Sequence, residues 1–194
     1  MAAIAAVTVA LLHQVSKDSP FSAASPSNSL HREDRGHRED RGGAGEADGV
    51  VPDDVTVFDD TTPAVTRLDP ELREALRRGA KAAAADGTTF YVNSGWRSPE
   101  YQEQLFRKAV AKYGSEEEAA RWVATTATSP HVSGDAVDIG RSDAAAWLSG
   151  HGAAYGLCQI YRNEPWHYEL RTDAIEHGCR RMYADPTQDP RMQQ

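Results

Sequence analysis

The hydrophobic and polar positions along the chain divide it into a polar N-terminal stretch and a patterned region beginning near Val51. Asp69-Pro70-Glu71 reads as a helix start: an acid to cap free amide groups, Pro at the first helical position and another acid near the positive end of the helix dipole. Leu72, Ala75, Leu76 and Ala83 recur at helical spacing, and Gly87 suits the stop. Thr88–Asn93 is β-branched and aromatic and reads as a strand. A second helix is predicted from Pro99, capped by Ser98, with Tyr101, Leu105 and Phe106 on its buried side. Ser115-Glu-Glu-Glu118 has the form of a capping box opening a third helix through Trp122. Ala136–Ile139 reads as a short strand, and Ser142 as the cap of a short helix carrying Trp147 and Leu148. Leu157–Tyr161 and Trp166–Leu170 read as two strands joined by a tight turn through Asn163 and Pro165. Helices mostly first and strands mostly last predict an α+β fold with a small antiparallel sheet.

The stretch before Val51 changes the domain picture. Ala2–Leu12 has the length of a signal-peptide apolar region but no preceding Lys or Arg, and Ser22-Ala23-Ala24 suits a cleavage site. Residues 1–24 are therefore expected to be an export signal or a membrane-anchor fragment. Residues 25–50 are expected to be a disordered linker containing the charge-balanced repeat HREDRG-HREDRG at 31–42, in which His31 and His37 read as spacer residues rather than ligands. The folded domain is assigned to 51–185 and a flexible tail to 186–194.

Composition fits one domain diluted by polar segments, with 194 residues and 40% hydrophobic content. Twenty-one basic against 29 acidic residues give a net charge of −8, which argues against a nucleic-acid partner. The two cysteines, Cys158 and Cys179, exclude a multi-cysteine zinc module, and a bridge between them would close a loop of about 20 residues. Such a bridge suits an extracytoplasmic setting.

The candidate chemistry lies in two segments. In Ser129-Pro-His131-Val-Ser-Gly134-Asp-Ala-Val-Asp138, a His and an Asp stand seven residues apart, with Gly134 permitting a sharp turn between them. In Glu164-Pro-Trp-His167-Tyr-Glu-Leu, strand alternation places His167 and Glu169 on one face and Trp166, Tyr168 and Leu170 on the other. If the two strands pair, Asp138 and His167 converge and His131 arrives from the adjoining loop. Two imidazoles and one carboxylate, with a position left for water, are the ligand set of a catalytic zinc, although other divalent ions accept it. Glu164 sits three residues before His167, on the wrong face of a regular strand, and is expected to reach the metal because Pro165 distorts the backbone. His13, His151 and His177 have no such setting and read as structural or surface residues.

These motifs, SxHxxGxAxD followed by Glu-Pro-Trp-His, with Ser-Gly-Trp-Arg-Ser upstream, resemble the VanY-type D-alanyl-D-alanine carboxypeptidases over roughly residues 65–171. That family is related to D-Ala-D-Ala dipeptidases, peptidoglycan endopeptidases and hedgehog signalling domains. The resemblance implies zinc at His131, Asp138 and His167, a catalytic base at Glu164, and oxyanion stabilisation by Arg97. It also implies substrate contacts at Ser129 and Gln102. The expected activity is removal of the terminal D-Ala from peptidoglycan stem peptides. Dipeptidase, endopeptidase and inactive zinc-stabilised binding module stand as alternatives. The implied setting is secreted or cell-envelope, with a monomeric protein attached to the membrane if the N-terminal apolar segment serves as an anchor. One departure bears on specificity: only two residues separate Tyr161 from Glu164, where many VanY-type chains have a longer hairpin loop beside the substrate groove. Cys158 and Cys179 would brace that short hairpin to the C-terminal tail.

Overall fold

The computed structural model describes residues 43–193. The export-or-anchor segment and the HREDRG repeat lie outside the described residues. In chain order the elements are α1 (Pro63–Thr66), α2 (Pro70–Ala85), β1 (Tyr91–Ser94), α3 (Pro99–Tyr113), α4 (Glu116–Ala119), α5 (Pro130–Ser133), β2 (Ala136–Gly140), α6 (Ser142–His151), β3 (Leu157–Gln159), β4 (His167–Leu170) and α7 (Ala174–His177). The four strands form one antiparallel sheet in the order β1-β2-β4-β3, the expected α+β arrangement. Among the described residues no helix is long and apolar enough to cross a membrane.

The α2 helix begins where its sequence says it should: the Asp69 carboxylate accepts the amide N–H groups of Glu71 and Leu72 at 2.9 and 3.0 Å. Its apolar stripe, Leu72, Leu76, Ala80 and Ala83, packs with Phe90, Val92, Val137, Ile139, Trp147, Leu148, Leu157 and Tyr168. Burying each of the larger aliphatic side chains contributes roughly 1.5–3 kcal/mol. This core occupies one face of the sheet, because Val137 and Ile139 alternate with Asp138, and Tyr168 with His167 and Glu169. The opposite face is thereby left to the polar residues.

Several boundaries differ from expectation for identifiable reasons. Arg141, not Ser142, occupies the cap position of α6, at a positive φ of 69°. Only Glu116–Ala119 of the predicted third helix is helical; beyond it Trp122 stacks on Tyr113, with ring centroids 5.9 Å apart. On α3 the most buried positions are Gln102 and Ala109 rather than Tyr101, Leu105 and Phe106, because Gln102 is drawn into a polar network. The β3–β4 connection, expected as a tight turn between strands ending at Tyr161 and starting at Trp166, runs from Ile160 to Trp166. Ile160–Arg162 leave β4 to pair with Tyr183, through Tyr183 N–H to the Ile160 carbonyl and Arg162 N–H to the Tyr183 carbonyl, both 3.0 Å.

The domain also extends past both ends expected for it. Asp48 receives the Ser98 backbone N–H at 2.8 Å and the Ser98 hydroxyl at 3.0 Å, so packing begins before Val51. Residues 186–193, expected as a flexible tail, form two short 3-10 turns and bury Asp189 completely. The physical reason is charge pairing that no hydrophobic pattern announces. Cys158 and Cys179 form the expected disulfide, with Cα atoms 5.6 Å apart.

The turn after α5 fixes its start to α2. Gly134 closes α5 at φ 84°, its carbonyl accepts Asp69 N–H at 2.9 Å, and a Cβ there would lie 2.6 Å from the Arg67 carbonyl oxygen. Gly134→Ala therefore combines a left-handed backbone with a backbone clash, at a cost of roughly 2–4 kcal/mol. Thermal unfolding of this variant should shift down by about 5 °C or more; an unchanged melting temperature would show that the turn relaxes freely.

Candidate metal centre

The pairing of β2 with β4 sets Asp138 directly opposite His167. His131 comes from α5, where Ser129 caps the helix, its hydroxyl accepting His131 N–H at 3.3 Å. The His131 carbonyl accepts Arg97 N–H at 3.0 Å, and the His131 ring bonds through Nδ1 to the Gly95 carbonyl at 2.8 Å. A carbonyl only accepts, so Nδ1 carries the proton and Nε2 is a free lone pair. That Nε2 lies 3.4 Å from Asp138 Oδ1, and His167 Nδ1 lies 3.3 Å from the same oxygen. The other His167 nitrogen, Nε2, faces Glu169 Oε1 at 3.2 Å. The ligand atoms of His131, Asp138 and His167 all lie within 4.8 Å of one another, and all three residues are buried.

This arrangement fits a divalent cation. Each imidazole has its outer nitrogen engaged by an acceptor and its inner nitrogen turned to a shared point beside a carboxylate. Without a cation the charges distribute unevenly. Burial and the Arg97 charge lower the His131 pKa. Burial also opposes charge on His167, but bonds to Asp138 and Glu169 outweigh it and carry that imidazole up to about 10. Burial raises Asp138, but the two histidines and Arg97 hold it well below the usual carboxylate range. A cation entering the site thus displaces a proton from His167.

Glu164 reaches the cluster by a turn. His167 N–H bonds back to the Glu164 carbonyl at 3.1 Å across Pro165 and Trp166, which folds the Glu164 carboxylate to 3.7 Å from His167 Nδ1. The side chain is buried, its Oε1 has no hydrogen-bond partner among the described residues, and burial pushes its pKa up to about 7. A buried carboxylate with an unpaired oxygen beside a metal-type cluster is poised to exchange a proton.

Arg97 is held by three bonds: Nε to Ser94 Oγ at 2.7 Å, Nη1 to Gln102 Oε1 at 3.1 Å and Nη2 to Asp138 Oδ2 at 3.0 Å. These use three of the five N–H donors of a guanidinium, leaving two for a ligand. Gln102 and Ser129, expected as substrate contacts, are both buried. Gln102 is 1% exposed, with its amide nitrogen on the Ala124 carbonyl at 2.7 Å and its oxygen on Arg97. Ser129 is buried as the α5 cap.

Sequence reasoning placed Glu169 on the His167 face without giving it a task, and it overlooked Asp189 and Arg191 altogether. Alternation was the available signal for Glu169; the other two carried none.

A family model of the VanY D-alanyl-D-alanine carboxypeptidases matches residues 65–173, more than half of the chain. The chain belongs to this family. The D-alanyl-D-alanine carboxypeptidase of Enterococcus faecalis (strain ATCC 700802 / V583) is 32% identical, the match covering 53% of this chain and 47% of that protein. The chain thus spans about half the length of this curated relative. Among solved structures, a mutant D,D-pentapeptidase VanY from a VanB-type vancomycin resistance cassette, in complex with Zn(II), is 30% identical with a TM-score of 0.50, covering 53% of this chain and 72% of that one. VanYB in complex with D-alanine-D-alanine is 29% identical with a TM-score of 0.52, covering 57% and 74%. The LD-carboxypeptidase LdcB is 25% identical with a TM-score of 0.52, covering 66% and 71%.

Glu164 carries a testable cost. Its pKa is raised above the value of about 4.5 for an unperturbed group, so its ionised form is disfavoured on folding. The penalty is absent below pH 4.5, grows as pH rises towards 7 and is fully present above. In protein stripped of metal by chelation, Glu164→Gln should therefore melt above the parent, with a gap widening from pH 5 to pH 8 towards roughly 3 kcal/mol. A gap that stays constant or narrows over that range would contradict the burial argument.

Proposed function

We propose that this protein is a zinc-dependent D,D-carboxypeptidase that removes the terminal D-Ala from peptidoglycan stem peptides outside the cytoplasm. The observation that carries the reading is the convergence of His131 Nε2, Asp138 Oδ1 and His167 Nδ1 beside a buried Glu164 and a tethered Arg97. Zinc held by these three ligands supplies Lewis acidity, polarising a carbonyl and acidifying water. Glu164 takes the proton from the attacking water through its unpaired oxygen and delivers it to the departing amine of D-Ala. Arg97 places its two remaining N–H donors on the oxygen that gains charge as the carbonyl is attacked, and cannot itself lose a proton. Ser94 and Gln102 hold that guanidinium in place, and Ser129 orients α5 and therefore His131.

The relatives support the substrate class. One is solved with D-alanine-D-alanine and another with Zn(II). The similar LD-carboxypeptidase makes a stem tetrapeptide the second substrate to test. A disulfide in the folded domain is consistent with an oxidising, extracytoplasmic setting. An inactive binding module with a structural zinc would need neither Glu164 nor Arg97.

Mass spectrometry of stem pentapeptide incubated with the protein should show loss of a single alanine, abolished by a chelator. Release of the intact D-Ala-D-Ala would assign a dipeptidase, and cleavage within the stem or cross-bridge an endopeptidase. Glu164→Gln should retain zinc while turnover falls by about 10²–10⁴-fold. Cleavage by this variant at the parental rate would remove Glu164 from the base role.

A further inference from the structure

Glu169 lies opposite Cys158 in the β3–β4 register and is 0% exposed. Its Oε1 accepts His167 Nε2 at 3.2 Å and Arg191 Nη2 at 3.2 Å. Its Oε2 accepts Arg171 Nη2 at 2.6 Å and Arg191 Nη1 at 2.8 Å. Arg191 therefore forks across both oxygens, the planar geometry that a guanidinium and a carboxylate share. Arg171 touches only the oxygen that does not face His167. Arg191 is the second holder of the oxygen that orients the imidazole.

Arg191 is itself fixed. Asp189, also 0% exposed, accepts the Arg191 backbone N–H at 3.0 Å and its Nε at 3.0 and 3.1 Å. Tyr161 donates its hydroxyl to Asp189 Oδ2 at 3.0 Å, while its ring lies against His167 with centroids 5.1 Å apart. The same segment is tied to the sheet at two further points. The Cys158–Cys179 disulfide anchors its start, and Tyr183 pairs with Ile160–Arg162 in its middle. Both the disulfide and Arg191 converge on the Cys158–Glu169 pair.

Residues 179–193 lie beyond the 65–173 matched by the family model, so this strap is not part of what the motifs describe. A segment pinned only for stability could use apolar contacts. Bringing a charged pair into a buried position costs desolvation that apolar packing avoids. What the ion pair adds is a fixed orientation for the carboxylate that holds the outer nitrogen of His167.

We propose that residues 179–193 are a strap that completes the metal centre, in which Arg191 is a positioning residue acting through Glu169 to hold His167 for a divalent cation. The strap and the cation then stabilise one another, because a coupling between two sites is reciprocal. This rests on the reading of His167 as a zinc ligand, and the test separates the two.

The experiment uses the full chain. Zinc affinity is measured by competition with a fluorescent chelator for the parent, Arg191→Ala, Arg191→Lys and His167→Ala. Hydrogen exchange of residues 185–193 is followed with and without zinc. Arg191→Ala should bind zinc about tenfold more weakly, the low end for loss of an outer partner, with Arg191→Lys recovering part of the loss. In the parent, zinc should slow exchange across 185–193. An Arg191→Ala affinity within threefold of the parent overturns the strap proposal, as does exchange in 185–193 that ignores zinc. Should Arg191→Ala fail to fold, Arg191→Lys and the exchange measurement decide. A parent that binds no zinc, or a His167→Ala variant that binds it like the parent, overturns the metal assignment itself and the strap with it.

Discussion

The antiparallel register of β2 on β4 is the constraint from which the site follows. Placing Asp138 opposite His167 makes one carboxylate oxygen the near neighbour of two imidazoles, with His131 delivered by the short α5 helix. A slip of one residue would turn Asp138 or His167 into the hydrophobic core and bring Val137 or Tyr168 to the polar face. The register is therefore enforced by apolar packing on the far side of the sheet: Val137, Ile139 and Tyr168 against α2 and α6. The same alternation that builds the core builds the candidate metal centre.

Around that pair the polar groups form nested layers. Gly95 and Glu169 engage the outer nitrogens of the two histidines; Ser94 and Gln102 hold Arg97; Asp138 joins the two sets through its separate oxygens. Among the described residues two buried side-chain oxygens have no hydrogen-bond partner, Asn163 Oδ1 and, within this cluster, Oε1 of Glu164. An unpaired atom in an otherwise satisfied site marks where the surroundings favour chemistry over stability.

The site lies in the part of the chain shared with the VanY family, whereas the carboxylate behind His167 is completed from outside it. The short connection between Tyr161 and Glu164 belongs with this. Ile160–Arg162 pair with Tyr183 rather than extending a hairpin, so the segment after Cys179 occupies one side of the loop that carries Glu164. Disulfide, strand pairing and ion pairs act on the same few residues of β3 and β4.

Much of this was legible in local pattern. Asp69-Pro70 and Ser98-Pro99 announced their helices because caps and proline act within a few residues, and period-two alternation put Asp138 and His167 on polar faces before any pairing was known. The VanY-type motifs carried the ligand set and Glu164. What local pattern did not hold was the direction of side chains joined over long separations. Gln102 could equally face a substrate or Arg97, and only the approach of α3 to the turn after β1 decided it. Arg191 and Asp189 looked like the charges of a solvated tail, since nothing nearby in the chain can pair with Glu169 across 22 residues. Short-range chemistry is written in neighbouring residues, so the sequence by itself determined most of the helices and strands and singled out His131, Asp138 and His167 as a candidate ligand set. The partners of buried charges depend on which distant segments meet, and that only the tertiary structure decided.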